Sequence, residues 1–214
     1  MITIHHLGIS QSDRVVWLLE ELDTPYELKW YNRGEDFLAP PEYRALHPVG
    51  TAPIITDGDL VMAESTAIVE YLSQRYGGGC LSVAPDDPEY PNYLYWMQFN
   101  NNFQSALFMK MAYQAGGGDL AEESPITVVM QRREDAAYNT LEQRLGESDF
   151  LGAERFTCAD IMSMFNLTSL EMLGARPIDD SLPNTKAYVE RIAARPAYQK
   201  AMAIAGPAAA APTA

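Results

Sequence analysis

The sequence has few basic residues and no long apolar segment. Lysine and arginine number 15 against 29 acidic residues in a chain of 214, for a formal net charge of −14 at pH 7. Because nucleic acids are bound through clusters of Lys and Arg, this balance argues against a nucleic-acid partner. No run approaches the roughly 20 apolar residues that a membrane-spanning helix needs. We therefore expect no membrane association.

Cysteine and histidine are also scarce. Cys80 and Cys158 are far apart and form no Cys-x-x-Cys pattern, which is typical of a reducing compartment and argues against a disulfide framework. The N-terminus has no basic segment followed by an apolar one, so no secretory signal is expected. The three histidines, at positions 5, 6 and 47, lack metal-ligand spacing. These absences predict a cytoplasmic protein without a metal site.

Strand and helix signals alternate at the start of the chain, up to Tyr76. The predicted strands and helices are Ile2–Leu7, Arg14–Leu22, Tyr26–Tyr31, a hairpin around Asp57–Asp59, and Ser65–Tyr76. This order is typical of an α/β domain, which we assign to residues 1–78. Residues 79–91 contain Gly, Pro and Asp without periodicity and are interpreted as a linker.

Strand signals disappear after the linker. Long helical patterns cover Tyr93–Ala115 and Ile126–Leu145, and Thr157–Asp160 has the form of a capping box before an apolar helix. We assign Thr157 and Asp160 to folding, because such caps satisfy orphan amides at a helix start. The sequence thus predicts an all-helical domain over residues 92–205, followed by a disordered Ala- and Pro-rich tail over residues 206–214.

The segment Thr51–Ile68 carries the clearest functional pattern. Pro53 stands at the head of a strand-like run, and Glu64 and Ser65 open a helix one hairpin later. A residue before proline is extended, so the backbone N–H and C=O of Ala52 are expected to be free for pairing. If the Ala52–Pro53 bond is cis, the surrounding fold holds it in place. A carboxylate and a hydroxyl beside an extended backbone suit a peptide-like, zwitterionic ligand.

These motifs together resemble the cytosolic glutathione transferase family. The resemblance covers nearly the whole chain and rests on residues 52–55 and 63–72, on Phe156–Ile161 and on Arg195–Tyr198. Within the family, Ser10–Leu22 is most similar to a bacterial and fungal serine-type branch. The resemblance implies a thioredoxin-like N-terminal domain and a C-terminal helical bundle. It also implies that glutathione is the co-substrate and that the protein is a homodimer.

The thiol of glutathione must ionise, and a free thiol has a pKa of about 8.5. Ser10 lies between the first strand and the first helix, four residues before Arg14. The resemblance implies that its hydroxyl donates to the sulfur, with Ser12, or the backbone and helix dipole alone, as alternatives. Either serine would also serve as an ordinary helix cap. The segment Ile4–Ser10 contains no tyrosine, which excludes the tyrosine-dependent variants.

The same resemblance assigns the remaining contacts to glutathione. Ala52 pairs its backbone with the cysteinyl part while Pro53 keeps that edge open. Glu64 meets the ammonium, and Ser65 with the helix amides meets the α-carboxylate. Many relatives carry Lys or Gln where this chain has Thr51, so the cation for the glycyl carboxylate is open. The prediction favours His47 over the alternatives at positions 33 and 44, both arginines.

Aromatic side chains on the first long helix of the second domain are expected to wall an apolar electrophile pocket. The pocket residues that we predict are Phe99, Phe103 and Tyr113. At least half of the aromatic residues of this helix are expected to belong to the core or a dimer interface instead.

Three functions remain in view. The first is a glutathione transferase, which would also be able to reduce hydroperoxides. The second is a non-catalytic binding module of the same fold. The third, a thiol oxidoreductase, is disfavoured because position 10 is serine.

Overall fold

The computed structural model describes residues 1–211. Its helices and strands are, in chain order, β1 Ile2–Leu7, α1 Asp13–Glu21, β2 Tyr26–Tyr31, α2 Pro41–Arg44, β3 Ile54–Asp57, β4 Leu60–Ala63, α3 Ser65–Gly77, α4 Tyr90–Ala115, α5 Pro125–Glu147, α6 Cys158–Thr168, a 3-10 turn Leu170–Leu173, α7 Pro183–Ala193 and α8 Pro196–Ala205. The predicted fold class, α/β followed by all-α, is confirmed. No helix within residues 1–211 combines the length and apolar character needed to cross a bilayer.

The four strands form one mixed sheet in the order β2-β1-β3-β4. β1 runs parallel to β2 and antiparallel to β3, and β4 closes an antiparallel hairpin with β3. The crossover helix α1 between the two parallel strands is required by their direction. One face of the sheet carries a core formed by Leu7, Tyr31, Tyr43, Ile54 and Ala63.

Helix α1 is buried along most of its length. All of its residues from Asp13 to Leu19 are buried, including the charged pair at its first turn. A helix that is buried on most sides is uncommon in so small an α/β unit, because a single apolar stripe is enough to cover a sheet. Its additional cover comes from α8, which packs against α1.

A second compact unit, residues 91–190, contains α5, α6 and almost all of α4 and α7, and α6 is the most deeply buried of these helices. The predicted capping box at the start of α6 is present: Thr157 accepts the Ala159 N–H, and the Asp160 carboxylate accepts the Thr157 N–H at 2.8 Å. Tyr188 from α7 also donates to Asp160, at 2.9 Å. This cluster ties α6 to α7 and confirms the structural role predicted for both box residues.

The chain divides into two compact units, one of residues 1–90 together with the chain from Arg191 onwards, and one of residues 91–190. This division differs from the sequence-based assignment, which placed residues 92–205 in a single helical domain. In the predicted tail, the N–H of Ala209 donates to the carbonyl of Gly206. Positions 212–214 of that tail lie outside the described residues.

Candidate functional site

The sheet register brings three separate segments to one end of the N-terminal unit. His5 near the end of β1 pairs with Ile54 at the start of β3, and Ile54 pairs with Ala63 at the end of β4. The loop after β1, the segment before β3 and the start of α3 therefore leave the sheet at the same edge. Hydrogen bonds of Ser65 to Gln11 (3.3 Å) and from Arg14 to Ser65 (3.2 Å) connect the first and last of these segments.

Ser10 lies in the loop after β1 and is 6% exposed. Its hydroxyl donates to the Leu7 carbonyl at 2.5 Å and contacts the Ser12 hydroxyl at 2.7 Å. The Ser12 hydroxyl in turn lies 2.8 Å from Nδ1 of His6. Both His6 and Ser12 are fully buried. Three polar side chains thus form a continuous hydrogen-bonded row that ends at Ser10.

Ser12 occupies the N-cap position of α1 but does not cap it with its side chain. Its carbonyl accepts the N–H groups of Val15 and Val16, whereas its hydroxyl is used by Ser10 and His6. The alternative in which this hydroxyl is an ordinary helix cap is therefore wrong for Ser12.

The first turn of α1 holds two buried charges. Burial raises the pKa of Asp13 to about 7, opposed by the Arg14 guanidinium and its backbone N–H. Burial lowers the pKa of Arg14 to about 10, so the guanidinium stays protonated at neutral pH. Arg14 is 1% exposed and donates to Ser65. A buried cation is thereby directed at the start of α3, next to the predicted binding site for the α-carboxylate.

The Ala52–Pro53 peptide bond is cis. β3 begins at Ile54, after this bond, so Ala52 stands outside the ladder. Within residues 1–211 the backbone N–H and C=O of Ala52 have no hydrogen-bonding partner. Thr51 beside it is exposed. The backbone edge predicted from the proline is therefore open.

Glu64 has a backbone conformation that L-residues rarely adopt, with φ 72° and ψ 109°. It is the N-cap residue of α3, yet its exposed side chain makes no capping hydrogen bond. The N–H groups of the first helical turn have no intrahelical acceptor, and those of residues 65–67 have no backbone acceptor within residues 1–211, so the start of α3 presents donors beside a carboxylate. Non-glycine residues with such conformations cluster at ligand sites, where the surrounding structure maintains them.

The three candidates for a donor to the glycyl carboxylate differ in their surroundings. Arg33 donates to the carbonyls of Gly8, Ile9 and Phe37 at 2.8–2.9 Å, so its donors already hold the loop after β1. His47 is half-buried and accepts the Val49 N–H through Nδ1 at 3.2 Å. Its Nε2 then carries the proton and is able to donate. Arg44 is exposed at the end of α2.

The predicted electrophile-pocket residues lie on α4 in the second unit. Phe99 and Phe103 are buried, and their ring centroids are 5.6 Å apart. Phe103 also meets the Tyr138 ring edge-on at 5.1 Å, so both phenylalanines belong to an aromatic cluster within this unit. Tyr113 is half-buried and packs on the backbone at Gly118. Their assignment to a pocket remains a prediction.

Sequence reasoning missed two residues of this site. From the sequence, metal binding is the only role considered for His6, and the histidine spacing argues against it. Among residues 1–211, no group of three His, Cys, Asp or Glu side chains is placed to hold a metal ion. Arg14 was used only as a marker of the helix start. The signal for both is their place on either side of the loop that contains Ser10, but their contacts depend on how β1 packs against α1.

Comparison with known proteins points to a single family. Family profiles described as the N-terminal and C-terminal domains of glutathione S-transferase match residues 5–79 and 106–196. Glutathione S-transferase 3 of Schizosaccharomyces pombe is 30% identical, and the alignment covers 92% of this chain and 85% of that protein.

Solved structures agree as well. A glutathione S-transferase from Actinobacillus pleuropneumoniae is 33% identical with a TM-score of 0.83, covering 96% of this chain and 93% of that one. A theta class enzyme from Xanthomonas axonopodis pv. citri, solved with glutathione bound, is 26% identical with a TM-score of 0.69 and covers 96% and 98%. These relatives support a transferase over a non-catalytic module. The chain belongs to the glutathione S-transferase family.

Proposed function

We propose that this protein binds reduced glutathione at the end of the sheet where β1 ends, β3 begins and α3 starts. We propose that it then transfers the glutathione thiolate to an electrophilic small molecule. The observation that carries the proposal is the unpaired backbone of Ala52 between Ser10 and the Glu64–Ser65 pair. An extended backbone recognises a peptide by strand-like pairing. Charged groups on either side then recognise the two ends of that peptide.

Each part of glutathione has a matching group. The cysteinyl backbone pairs with Ala52, held beside Thr51 and Pro53. The γ-glutamyl ammonium meets the Glu64 carboxylate, and its α-carboxylate meets the Ser65 hydroxyl and the free amides of α3. Arg14, buried and directed at Ser65, adds a positive field there. His47 meets the glycyl carboxylate through Nε2.

Ser10 acts on the sulfur. Its hydroxyl turns from the Leu7 carbonyl to the thiolate, and this hydrogen bond favours the ionised form and lowers the thiol pKa. The thiol proton leaves to solvent. The sulfur electron pair then forms a bond to the electrophilic carbon. In a substitution, the bond to the leaving group breaks and its electrons depart with that group; in an addition, the π electrons move to the neighbouring atom, which takes a proton from solvent. Phe99, Phe103 and Tyr113 of the helical unit are proposed to contact the electrophile.

The test is calorimetric titration with reduced glutathione together with ultraviolet detection of bound thiolate as a function of pH. We expect binding, and a thiol pKa below the free value of about 8.5. Ser10→Ala should reduce turnover with a chlorinated aromatic electrophile by about 100-fold, as for loss of a single donor to a developing anion. Ser73 is another buried serine of the same unit. Ser73→Ala is therefore the matched control and should leave the turnover and the pKa of the bound thiol unchanged.

Two results would contradict the proposal. Binding without a change in the thiol pKa would indicate a glutathione carrier. Absence of binding at millimolar glutathione would favour the non-catalytic module.

We propose further that two copies associate. β4 is an edge strand with Val61 exposed, and α4 exposes Leu94 and Tyr95. Apolar side chains on a sheet edge and on a helix suit a second copy of the chain. Sedimentation equilibrium should give twice the chain mass, and Tyr95→Glu should lower that mass.

A further inference from the structure

We propose that His6 and Ser12 are positioning residues for Ser10, fixing the direction of its hydroxyl proton toward the glutathione sulfur. The inference rests on the proposed function, because it concerns how Ser10 is made a donor. It adds two buried residues that contact neither glutathione nor the electrophile.

The direction of the row follows from counting donors. A serine hydroxyl has one proton and two acceptor sites. Ser10 uses its proton on the Leu7 carbonyl, which only accepts. In the 2.7 Å contact between the serines, Ser12 must therefore be the donor. The Ser12 hydroxyl then has no second proton to donate, so in the 2.8 Å contact with His6 the ring donates from Nδ1.

The surroundings of His6 support the same tautomer. Within the described residues Nε2 of His6 is buried without a hydrogen-bond partner, so no acceptor there would hold a proton on Nε2. The ring packs against Trp30, with centroids 4.3 Å apart. Burial, together with the nearby Arg33 guanidinium, lowers the pKa of His6 to about 4. The ring is neutral at working pH and is a poor acceptor for the thiol proton, so it acts as a fixed donor and not as a base.

A fixed donor at the buried end has a consequence at the exposed end. If Ser12 lost the His6 N–H, its hydroxyl would be free to turn and accept from Ser10, and the Ser10 proton would then point inward. With His6 donating, Ser12 donates to Ser10, and the Ser10 proton is left for an acceptor outside the row. Consecutive hydrogen bonds also polarise each other, which makes the last hydroxyl a stronger donor. In the structure that acceptor is the Leu7 carbonyl; in the complex it is the thiolate.

Burial separates the roles of the two serines. Ser12 is 0% exposed and Ser10 is 6% exposed, so the row opens to a ligand at Ser10. This distinguishes the proposal from the alternative in which Ser12 itself contacts the sulfur.

The test is the pKa of bound glutathione thiol, read from thiolate absorbance, in variants of the row. Ser12→Ala should raise that pKa by about half a unit, which is about threefold less thiolate below the pKa. His6→Leu removes the donor and should do the same, whereas His6→Asn keeps an N–H near the place of Nδ1 and should retain the wild-type value. Far-ultraviolet circular dichroism shows whether each variant is folded. If His6→Leu does not fold, Ser12→Ala, which only removes an oxygen, still tests the proposal.

A double variant decides between acting through Ser10 and acting directly. If the row works through Ser10, Ser12→Ala should have no further effect in a Ser10→Ala background. An equal shift in both backgrounds would show that Ser12 contacts the sulfur and would overturn the proposal. An unchanged thiol pKa in Ser12→Ala, with a raised one in Ser10→Ala, would overturn it as well while leaving the proposed function intact. An unchanged thiol pKa in Ser10→Ala would instead overturn the assignment of Ser10 itself, and the row with it.

Discussion

Two helix starts in this protein use the same residue types in opposite ways. At α6, Thr157 and Asp160 form a closed cap in which the buried carboxylate accepts the N–H groups of Leu151 and Thr157 and the hydroxyl of Tyr188. At α1, the N-cap hydroxyl of Ser12 leaves the helix uncapped and contacts His6 and Ser10.

The polar atoms of the two starts differ accordingly. Asp13, the acid of α1, has a buried carboxylate oxygen without a hydrogen-bond partner within residues 1–211, whereas each carboxylate oxygen of Asp160 is hydrogen-bonded. Incomplete pairing of buried groups costs stability. Under the proposed function, the comparison sets a helix start that serves folding, at α6, beside one that serves a ligand, at α1.

The largest expected effect is at the closed cap. Asp160→Ala removes the acceptor of two buried amides and of the Thr157 and Tyr188 hydroxyls, and we expect a loss of about 4 kcal/mol in the free energy of unfolding. Urea denaturation followed by circular dichroism measures it. Glu154→Ala removes a carboxylate that is 72% exposed and should change stability by less than about 0.5 kcal/mol. A similar small loss for Asp160→Ala would mean that α6 does not depend on its cap.

The second effect concerns pH and the open start. Because the pKa of His6 is about 4 in the folded protein, against an ordinary value of 6.5, the unfolded chain binds a proton between these pH values that the folded chain does not. This residue alone should therefore lower stability by up to about 3 kcal/mol as pH falls from 6.5 to 4. Asp13, with a raised pKa of about 7, acts in the opposite direction, since the folded chain holds its proton at pH values where the unfolded chain has lost it.

Single variants separate the two contributions. His6→Asn should gain stability relative to wild type as pH falls from 6.5 to 4, in urea denaturation at a series of pH values. Asp13→Asn should show the reverse trend, gaining relative to wild type as pH rises from 4 to 7. If the stability of His6→Asn and that of wild type changed with pH in parallel, the folded protein would protonate His6 as readily as the unfolded chain does.

The smallest effects sharpen the comparison most directly. Thr157→Ala should cost about 1–2 kcal/mol, as for loss of a cap, and should leave the dissociation constant for glutathione unchanged. Ser10→Ala should cost less than about 1 kcal/mol but raise the pKa of the bound thiol. Thermal denaturation and the thiolate titration, applied to both variants, measure these quantities. A Thr157→Ala variant that changes the thiol pKa would contradict the assignment of α6 to folding alone.

Sequence reasoning succeeded where structure is local. The capping box of α6 follows from four consecutive residues, and the hairpin of β3 and β4 places Pro53 and Glu64 on the same side because antiparallel register is set by a short turn. It failed at His6 and Arg14 because their roles depend on tertiary packing. A histidine in a strand and an arginine at a helix start have many environments, and full burial of either is visible only after β1, α1 and α3 are assembled.

The position of α8 has a consequence for how the protein is made. Arg195 binds the Glu21 carboxylate with two hydrogen bonds of 2.7 Å, and Tyr198 packs edge-on against Trp17. The N-terminal unit is therefore completed by residues that the ribosome synthesises after the entire second unit. Until they emerge, Trp17 and Glu21 on α1 lack this cover, so the N-terminal unit is begun first and completed last.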